Sequence, residues 1–195
     1  MQSGLVAVSV DEPKTEPVGQ VLVLPGARYS ITEPGLFWPC TALINLGWRA
    51  VVVRWEWTEA AADDPERFLE AVVNQAETHF DPGLETIVMA KSIGSLAARW
   101  AADKQMRGIW LTPLLQREDV VSALIGCPPK SLLVGGTADP TWALTPELRS
   151  RHLVVEVPEM DHAFRVGMDW KQSLAALGTV CETVQDFVAS DFSAG

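Results

Sequence analysis

The amino-acid sequence predicts an α/β fold, a three-layer sandwich in which a mostly parallel central sheet is covered by helices on both faces. Segments typical of strands alternate with segments of helical spacing along the chain, which is the pattern of βαβ units. Two strand segments, residues 21–24 and 87–89, are continuous apolar runs, as expected where a strand is buried on both faces. The right-handed crossover of each βαβ unit then places helices on both sides of the sheet.

The first half of the chain contains three predicted strands and two predicted helices. In chain order these are an alternating edge strand (residues 5–10), a central strand (21–24), a helix (36–44), a strand centred on 51–53 and a helix (69–76). Gly47 is well placed to end the first helix, because glycine is favoured just beyond a helix C-terminus. Asp64 and Pro65 predict the start of the second, because aspartate caps helices and proline suits their first turn.

The second half repeats this alternation. In order, it contains a strand at 87–89, a helix from Ile93, a strand at 108–111, a helix at 119–125, a strand at 131–134, a brief helix at 145–149, a strand at 152–157 and a long final helix from about 174 to 188. No internal repeat, low-complexity tract or linker divides the chain. Residues 1–195 are therefore expected to form one domain.

Composition and charge exclude several classes of function. The net charge is −10 with no basic cluster, which argues against a nucleic-acid partner or an anionic membrane surface. No signal-like or membrane-spanning apolar segment is present, so we expect a cytoplasmic location. Cys40, Cys127 and Cys181 are widely spaced and form no metal-ligand pattern, so they are expected to be free thiols. No phosphate-binding glycine loop follows the first strands, and we expect no metal or cofactor.

Residues 86–102 carry the pattern with the most chemical content. A buried strand stops at the motif Ala90-Lys91-Ser92-Ile93-Gly94, and helical spacing begins at once. A serine at such a turn, with small residues two before and two after, matches the nucleophile elbow and lies one conservative step from G-x-S-x-G. The N–H of Ile93 would lie at the helix start, where it can bind a developing oxyanion. The motif alone also fits a small-residue turn in any α/β protein.

An acid and an imidazole follow two later strands. Ser92 comes after the strand at 87–89, Asp139 after that at 131–134, and His162 after that at 152–157. Ligands of open parallel sheets gather beyond the carboxyl ends of the strands, so the three side chains are expected to meet there. The order serine, aspartate, histidine is the one found in α/β-hydrolases.

Other histidines and acids fit these positions less well. His79 lies at a predicted helix end upstream of the serine, and His152 begins a strand and would project near the wrong edge of the sheet. Asp161 adjoins His162, but sequence neighbours in a loop point apart, so Asp161 is expected to cap or orient the loop. Asp139 before a proline also suits a simple turn residue.

The chain resembles the small, capless α/β-hydrolases over nearly its whole length. The resemblance rests on the segments Leu24-Pro25-Gly26-Ala27, Ala90-Lys91-Ser92-Ile93-Gly94, Gly136-Thr137-Ala138-Asp139 and Asp161-His162-Ala163-Phe164. It implies a serine hydrolase of carboxylesterase or thioesterase type, with a Ser92–His162–Asp139 triad and an acyl-enzyme intermediate. It also implies an oxyanion hole made by the N–H groups of Ile93 and Ala27. Pro25 and Lys91 depart from the pattern, because histidine is common at the first position and histidine, glycine or tyrosine at the second.

The substrate is expected to be a small acyl compound. The site is expected to be open, because only the short loop 112–117 separates the strand at 108–111 from the helix that follows it. Candidate pocket walls, each of which also suits ordinary packing, are Arg28, Tyr29, Trp38, Trp55, Trp110, Leu114, Trp142 and Phe164. Arg28 would either attract a substrate carboxylate or pair with an acid such as Glu33. The sequence leaves the oligomeric state open. A binding module for a small molecule or protein, with an unused triad, is the alternative function.

Overall fold

The computed structural model describes residues 6–191, without the side chain of residue 191, so Leu5 of the predicted first strand lies outside the described residues. Seven strands form one sheet in the order β1-β3-β2-β4-β5-β6-β7. The strands are β1 Val6–Asp11, β2 Gly19–Leu24, β3 Trp48–Trp55, β4 Thr86–Lys91, β5 Gly108–Leu111, β6 Leu132–Gly136 and β7 Leu153–Val157. Only β1 pairs antiparallel with its neighbour, and the other five pairings are parallel. The predicted mostly parallel sheet is confirmed.

Helices connect the strands as the βαβ pattern predicts. They are α1 Pro34–Asn45, α2 Glu59–Asp63, α3 Pro65–Glu77, a 3₁₀ helix Ser92–Ala97 that continues into α4 Ala98–Asp103, α5 Glu118–Gly126, α6 Pro146–Arg151 and α7 Trp170–Asp191. The Asp64 carboxylate accepts a hydrogen bond from the Arg67 N–H at 3.2 Å, so it caps α3 as expected. Gly47, two residues after the last residue of α1, has a φ of +91°, a conformation that favours glycine.

The core has two layers because successive strand residues point to opposite faces of the sheet. Val21, Val23, Ile87 and Met89 belong to the layer that packs against α1 and α7. The alternate strand residues belong to the layer beneath α3, α4 and α5, which includes Leu22, Leu24, Val88, Ala90, Leu69, Val73 and Leu124. Helices on both faces of the sheet are thus confirmed, and the central strands are buried on both faces.

One local prediction was wrong, and one short helix was missed. The helix expected from Ile93 begins as a 3₁₀ helix and becomes α-helical only at Ala98, in keeping with the frequency of 3₁₀ turns at helix ends. The five-residue helix α2 was not predicted, because a single turn is too short to show a hydrophobic period.

Candidate active site

Three polar side chains from separate loops meet at the carboxyl edge of the sheet. Ser92 follows β4, Asp139 follows β6 and His162 follows β7. The His162 Nε2 atom lies 2.8 Å from the Ser92 Oγ atom, and its Nδ1 atom lies 2.8 Å from Asp139 Oδ2. Because β4, β5, β6 and β7 are adjacent and parallel, their ends open onto the same edge and bring together residues that are 70 and 23 positions apart.

The serine is held in a strained turn. Ser92 has a φ of +53°, in the left-handed region that residues with a Cβ atom rarely adopt. The turn packs closely against the loop after β2, since a Cβ atom at Gly94 would lie 2.9 Å from the Pro25 carbonyl oxygen. The Ile93 N–H belongs to the first turn of the 3₁₀ helix, where N–H groups have no acceptor within the helix. The turn therefore exposes a hydroxyl beside an available N–H group.

Asp139 is a buried carboxylate that faces hydrogen-bond donors on both of its oxygens. Its Oδ1 atom accepts from the Thr141 N–H and the Thr141 hydroxyl, both at 2.8 Å, and its Oδ2 atom faces His162. Burial opposes ionisation of this group, but the hydrogen bonds from His162 and Thr141 outweigh it and hold the pKa of Asp139 below its ordinary value. Asp139 is therefore charged at neutral pH and can fix the orientation of the imidazole.

Asp161 accepts the hydrogen bonds that shape the loop carrying His162 from within. One Asp161 carboxylate oxygen accepts from the Ala163 N–H at 2.8 Å and from the Arg165 N–H at 2.9 Å. Met160 and Val166 pair across the base of the loop. Asp161 thus orients the loop, as the sequence indicated, while Asp139 is the acid that faces the imidazole.

Lys91 is buried beneath this loop, and sequence reasoning noted it only as a departure from the family pattern. Its side chain donates to the His162 carbonyl oxygen at 2.8 Å and to the Thr112 hydroxyl at 2.9 Å. The Nζ atom lies 4.6 Å from the ring centroid of Tyr29 and 5.0 Å from that of Phe164. Burial lowers the pKa of Lys91 to about 7, although the charges of Asp139 and Asp161 act in the opposite direction.

A cavity of about 500 Å³ opens beside Ser92. This volume is within the usual range for small-molecule sites, about 300–1,000 Å³. The lining residues are Gly26, Ala27, Arg28, Tyr29, Trp57, Thr58, Glu59, Ala62, Lys91, Ser92, His162 and Ala163. The loop after β2, the serine turn and the histidine loop therefore share one cavity with the segment around α2.

Of the eight predicted pocket residues, two, Arg28 and Tyr29, line this cavity. Trp110 is completely buried, because it points from β5 into the layer under α4 and α5. Trp38 lies on α1 with 52% of its surface exposed and packs edge-on against Phe37. These two predictions were wrong: the position of a residue near a strand end does not determine the face to which its side chain points.

The other four predicted wall residues pack around the site without lining its cavity, or lie in another part of the core. Trp142 packs over Gly135 and donates from its indole nitrogen to Glu156 at 2.7 Å. Phe164 is buried against Tyr29, at 5.7 Å between ring centroids. Trp55 donates to the Gly26 carbonyl oxygen at 3.1 Å, and Leu114 packs against the core layer beneath α3, α4 and α5. None of the four is a lining residue of the cavity.

The cavity wall that sequence reasoning missed comes from Trp57, Thr58, Glu59 and Ala62. The available signal was Thr58, whose hydroxyl caps α2 by accepting from the Ala61 N–H at 3.3 Å. Arg28 is exposed at the cavity, and among the described residues its side chain has neither a hydrogen-bond nor an ion-pair partner, so the pairing with Glu33 is not observed.

The remaining candidate groups lie away from this site. His152 is buried with its Nε2 atom 2.9 Å from the Leu124 carbonyl oxygen, and His79 is beyond the end of α3. The three cysteines are free thiols. Across residues 6–191, no cluster of three or more histidine, cysteine or acidic side chains could hold a metal ion. Within the same span, none of the helices is both long and apolar enough to cross a membrane.

Comparison with known proteins identifies the fold by structure rather than by sequence. The chain matches no protein-family model and no curated protein. A dienelactone hydrolase from Anabaena variabilis has a TM-score of 0.73 at 18% identity, covering 95% of this chain and 91% of that one. A serine hydrolase without a lid from Xanthomonas campestris has a TM-score of 0.71 at 19% identity, with 95% and 88% covered. Est1E from Butyrivibrio proteoclasticus has a TM-score of 0.68 at 14% identity, with 94% and 95% covered.

These neighbours share the overall fold of this chain. The sheet is mostly parallel with one antiparallel edge strand, and only residues 112–117 lie between β5 and α5, where the sequence predicts no lid. Both matches cover 95% of this chain, so the similarity extends over nearly its whole length. The chain therefore has the α/β-hydrolase fold in the form that lacks a cap domain.

Proposed function

We propose that this protein is a serine hydrolase that acts on an ester or related acyl substrate through an acyl-enzyme intermediate. The observation that carries the proposal is the continuous hydrogen-bonded chain from Ser92 through His162 to Asp139, with 2.8 Å at both contacts. A hydroxyl, an imidazole and a carboxylate in this arrangement are the parts needed to activate a serine nucleophile. The fold neighbours, which are named as hydrolases, support the same reaction class.

In this proposal each of the three side chains has a distinct role. His162 Nε2 accepts the Ser92 proton as Oγ attacks the acyl carbonyl carbon, and the imidazolium then donates that proton to the leaving group. Water attacks the acyl-enzyme with the same histidine as base, which releases the acid and restores the serine. Asp139 accepts a hydrogen bond from Nδ1–H, so that the lone pair of the neutral ring is on Nε2, facing Ser92.

The oxyanion of the tetrahedral intermediate would be bound by main-chain donors. In this proposal the turn at Ser92 is a nucleophile elbow, and the N–H of Ile93 is the first donor. The second is the N–H of Ala27, a cavity residue that follows Gly26; a Cβ atom at Gly26 would lie 3.6 Å from the Ser92 Cβ atom. Main-chain donors do not depend on the identity of Pro25 or Lys91, so those departures leave the mechanism intact.

The test is covalent labelling of Ser92 together with ester hydrolysis. Wild-type protein should react with a fluorophosphonate probe and hydrolyse p-nitrophenyl acetate, and Ser92→Ala should lose both, with hydrolysis at least about 1,000-fold slower. Ser95→Ala is the matched control, since Ser95 lies in the same 3₁₀ helix but its hydroxyl accepts from the Leu114 N–H. Folded wild-type protein that neither labels nor hydrolyses esters would instead indicate a binding module.

A further inference from the structure

Lys91 links the strand that carries the serine to the loop that carries the histidine. It is the last residue of β4 and directly precedes Ser92. Its side chain follows Ile87 and Met89 onto the face covered by α1 and α7, and its Nζ atom reaches the His162 carbonyl oxygen at 2.8 Å. One side chain therefore ties the backbone next to the nucleophile to the backbone of the base.

The other contacts of Lys91 come from groups that are themselves held in place. Thr112, the second acceptor, donates its own N–H to the Val134 carbonyl oxygen at 2.7 Å and is thereby fixed to β6. The Tyr29 hydroxyl accepts from the Gly35 N–H at 2.8 Å, so the ring beside the Nζ atom is anchored at the start of α1. The amine thus holds the histidine loop against a rigid frame.

A lysine is a costly residue to bury at this position. Its side chain is 1% exposed in a site walled by two aromatic rings, where a methionine of similar length would avoid the desolvation penalty. What methionine lacks is the N–H donors that reach His162 and Thr112. The structure therefore points to the donated hydrogen bonds, rather than to packing, as the contribution of this side chain.

We propose that Lys91 is a positioning residue that holds the main-chain carbonyl of His162 and thereby sets the distance between the imidazole and Ser92. The proposal rests on the hydrolase function proposed above. Asp139 orients the ring through its Nδ1 atom but does not hold the backbone of the loop, and Lys91 supplies that second constraint. Displacement of a reacting group by about 1 Å can cost about 100-fold in rate, which sets the scale of the expected effect.

The first experiment compares Lys91→Met with wild type. The variant keeps an unbranched side chain that is one atom shorter and loses the donors, so kcat for p-nitrophenyl acetate should fall about 10- to 100-fold while KM changes less than about 3-fold. Labelling of Ser92 by the fluorophosphonate should slow by a similar factor. Lys104→Met, which removes an exposed lysine paired with Glu77, should change neither quantity.

A second readout does not need turnover. The low-field proton resonance of the His162 Nδ1–H that faces Asp139, assigned by its loss in His162→Gln, should shift or broaden in Lys91→Met. This signal reports the position of the ring even if the protein has no hydrolase activity, so failure of the proposed function and failure of this inference are distinguishable. Unchanged kcat, labelling rate and resonance in folded Lys91→Met would overturn the inference.

A pair of variants at Thr112 tests the same contact without altering the lysine. Thr112→Val replaces the acceptor hydroxyl with a methyl group of similar shape, whereas Thr112→Ser retains the hydroxyl. Labelling of Ser92 should slow several-fold in the valine variant and stay close to wild type in the serine variant. If Lys91→Met does not fold and the two Thr112 variants label at the wild-type rate, the inference is wrong.

Discussion

The two sides of the cavity are built in different ways. The triad edge, defined as the serine turn, Asp139 and the loop 160–166, is held by a network of short hydrogen bonds that includes two buried ionisable groups, Asp139 and Lys91. The entrance segment, residues 57–62, contributes a short helix capped by one hydrogen bond that the Thr58 hydroxyl accepts from the Ala61 N–H. It also contributes an aromatic ring, Trp57, packed on Trp55 and Phe68.

Because they are built differently, we expect the two sides of the cavity to have different roles. Groups that must keep their relative geometry to a few tenths of an ångström belong to the triad edge, and groups that only contact the rest of a substrate belong to the entrance segment. Volume is a poor guide to the site: a larger groove of about 1,200 Å³ between α3, α4 and α5 is lined by none of Ser92, Asp139 and His162. Substitutions in the triad edge should therefore act on kcat, and those in the entrance segment on KM.

The largest effect is expected from Asp139→Asn. The amide would present an N–H group to the Nδ1 atom of His162 and favour the tautomer whose Nε2 atom cannot accept the serine proton, so kcat should fall by about 10⁴. Steady-state hydrolysis of p-nitrophenyl acetate measures it. Asp161→Asn is the matched variant, and its loss should be at least about 100-fold smaller because Asp161 accepts from the N–H groups of Ala163 and Arg165 and from the Arg165 guanidinium, whereas the imidazole contacts Asp139. Equal losses would remove the distinction between the two acids.

A pH-dependent difference in stability should separate Lys91→Met from wild type. The pKa of Lys91 is lowered from 10.5 to about 7 by burial, so between these values the unfolded chain binds a proton that the folded protein does not. Wild-type stability relative to Lys91→Met should therefore rise with pH in this window, by up to about 1.4 kcal/mol per pH unit. Urea unfolding of both proteins at pH 7, 8, 9 and 10 measures the slope. Free energies of unfolding that differ by a constant amount across these pH values would show that the lysine titrates normally.

The smallest effect is expected in the entrance segment. Trp57→Ala removes an aromatic wall of the cavity, so KM for an ester with an aromatic acyl group should rise about 3- to 10-fold with kcat little changed. Trp38→Ala is the control, since Trp38 is exposed on α1 outside the cavity although the sequence placed it in the pocket. A KM that responds to Trp38 and not to Trp57 would reverse the assignment of the wall.

Most of the fold could be predicted from local patterns. The strands at 21–24 and 87–89 were recognised because continuous apolar runs of that length are typical of buried parallel strands, and Asp64 marked a helix start by its capping chemistry. The cavity wall contributed by α2 was missed because a single helical turn is too short to show a hydrophobic period. Trp110 was misplaced because β5 is buried on both faces, so composition does not distinguish one face from the other.

The sequence by itself determined the alternation of strands and helices, and it placed Ser92, Asp139 and His162 beyond three strand ends in that order. These properties follow from short-range chemistry: hydrophobic runs, turn residues and the rule that parallel strands end at a common edge. Only the tertiary structure decided which side chains face the cavity and that the Lys91 amine reaches a carbonyl 71 residues away in the chain. Such contacts depend on the packing of the loops against one another, which no local pattern encodes.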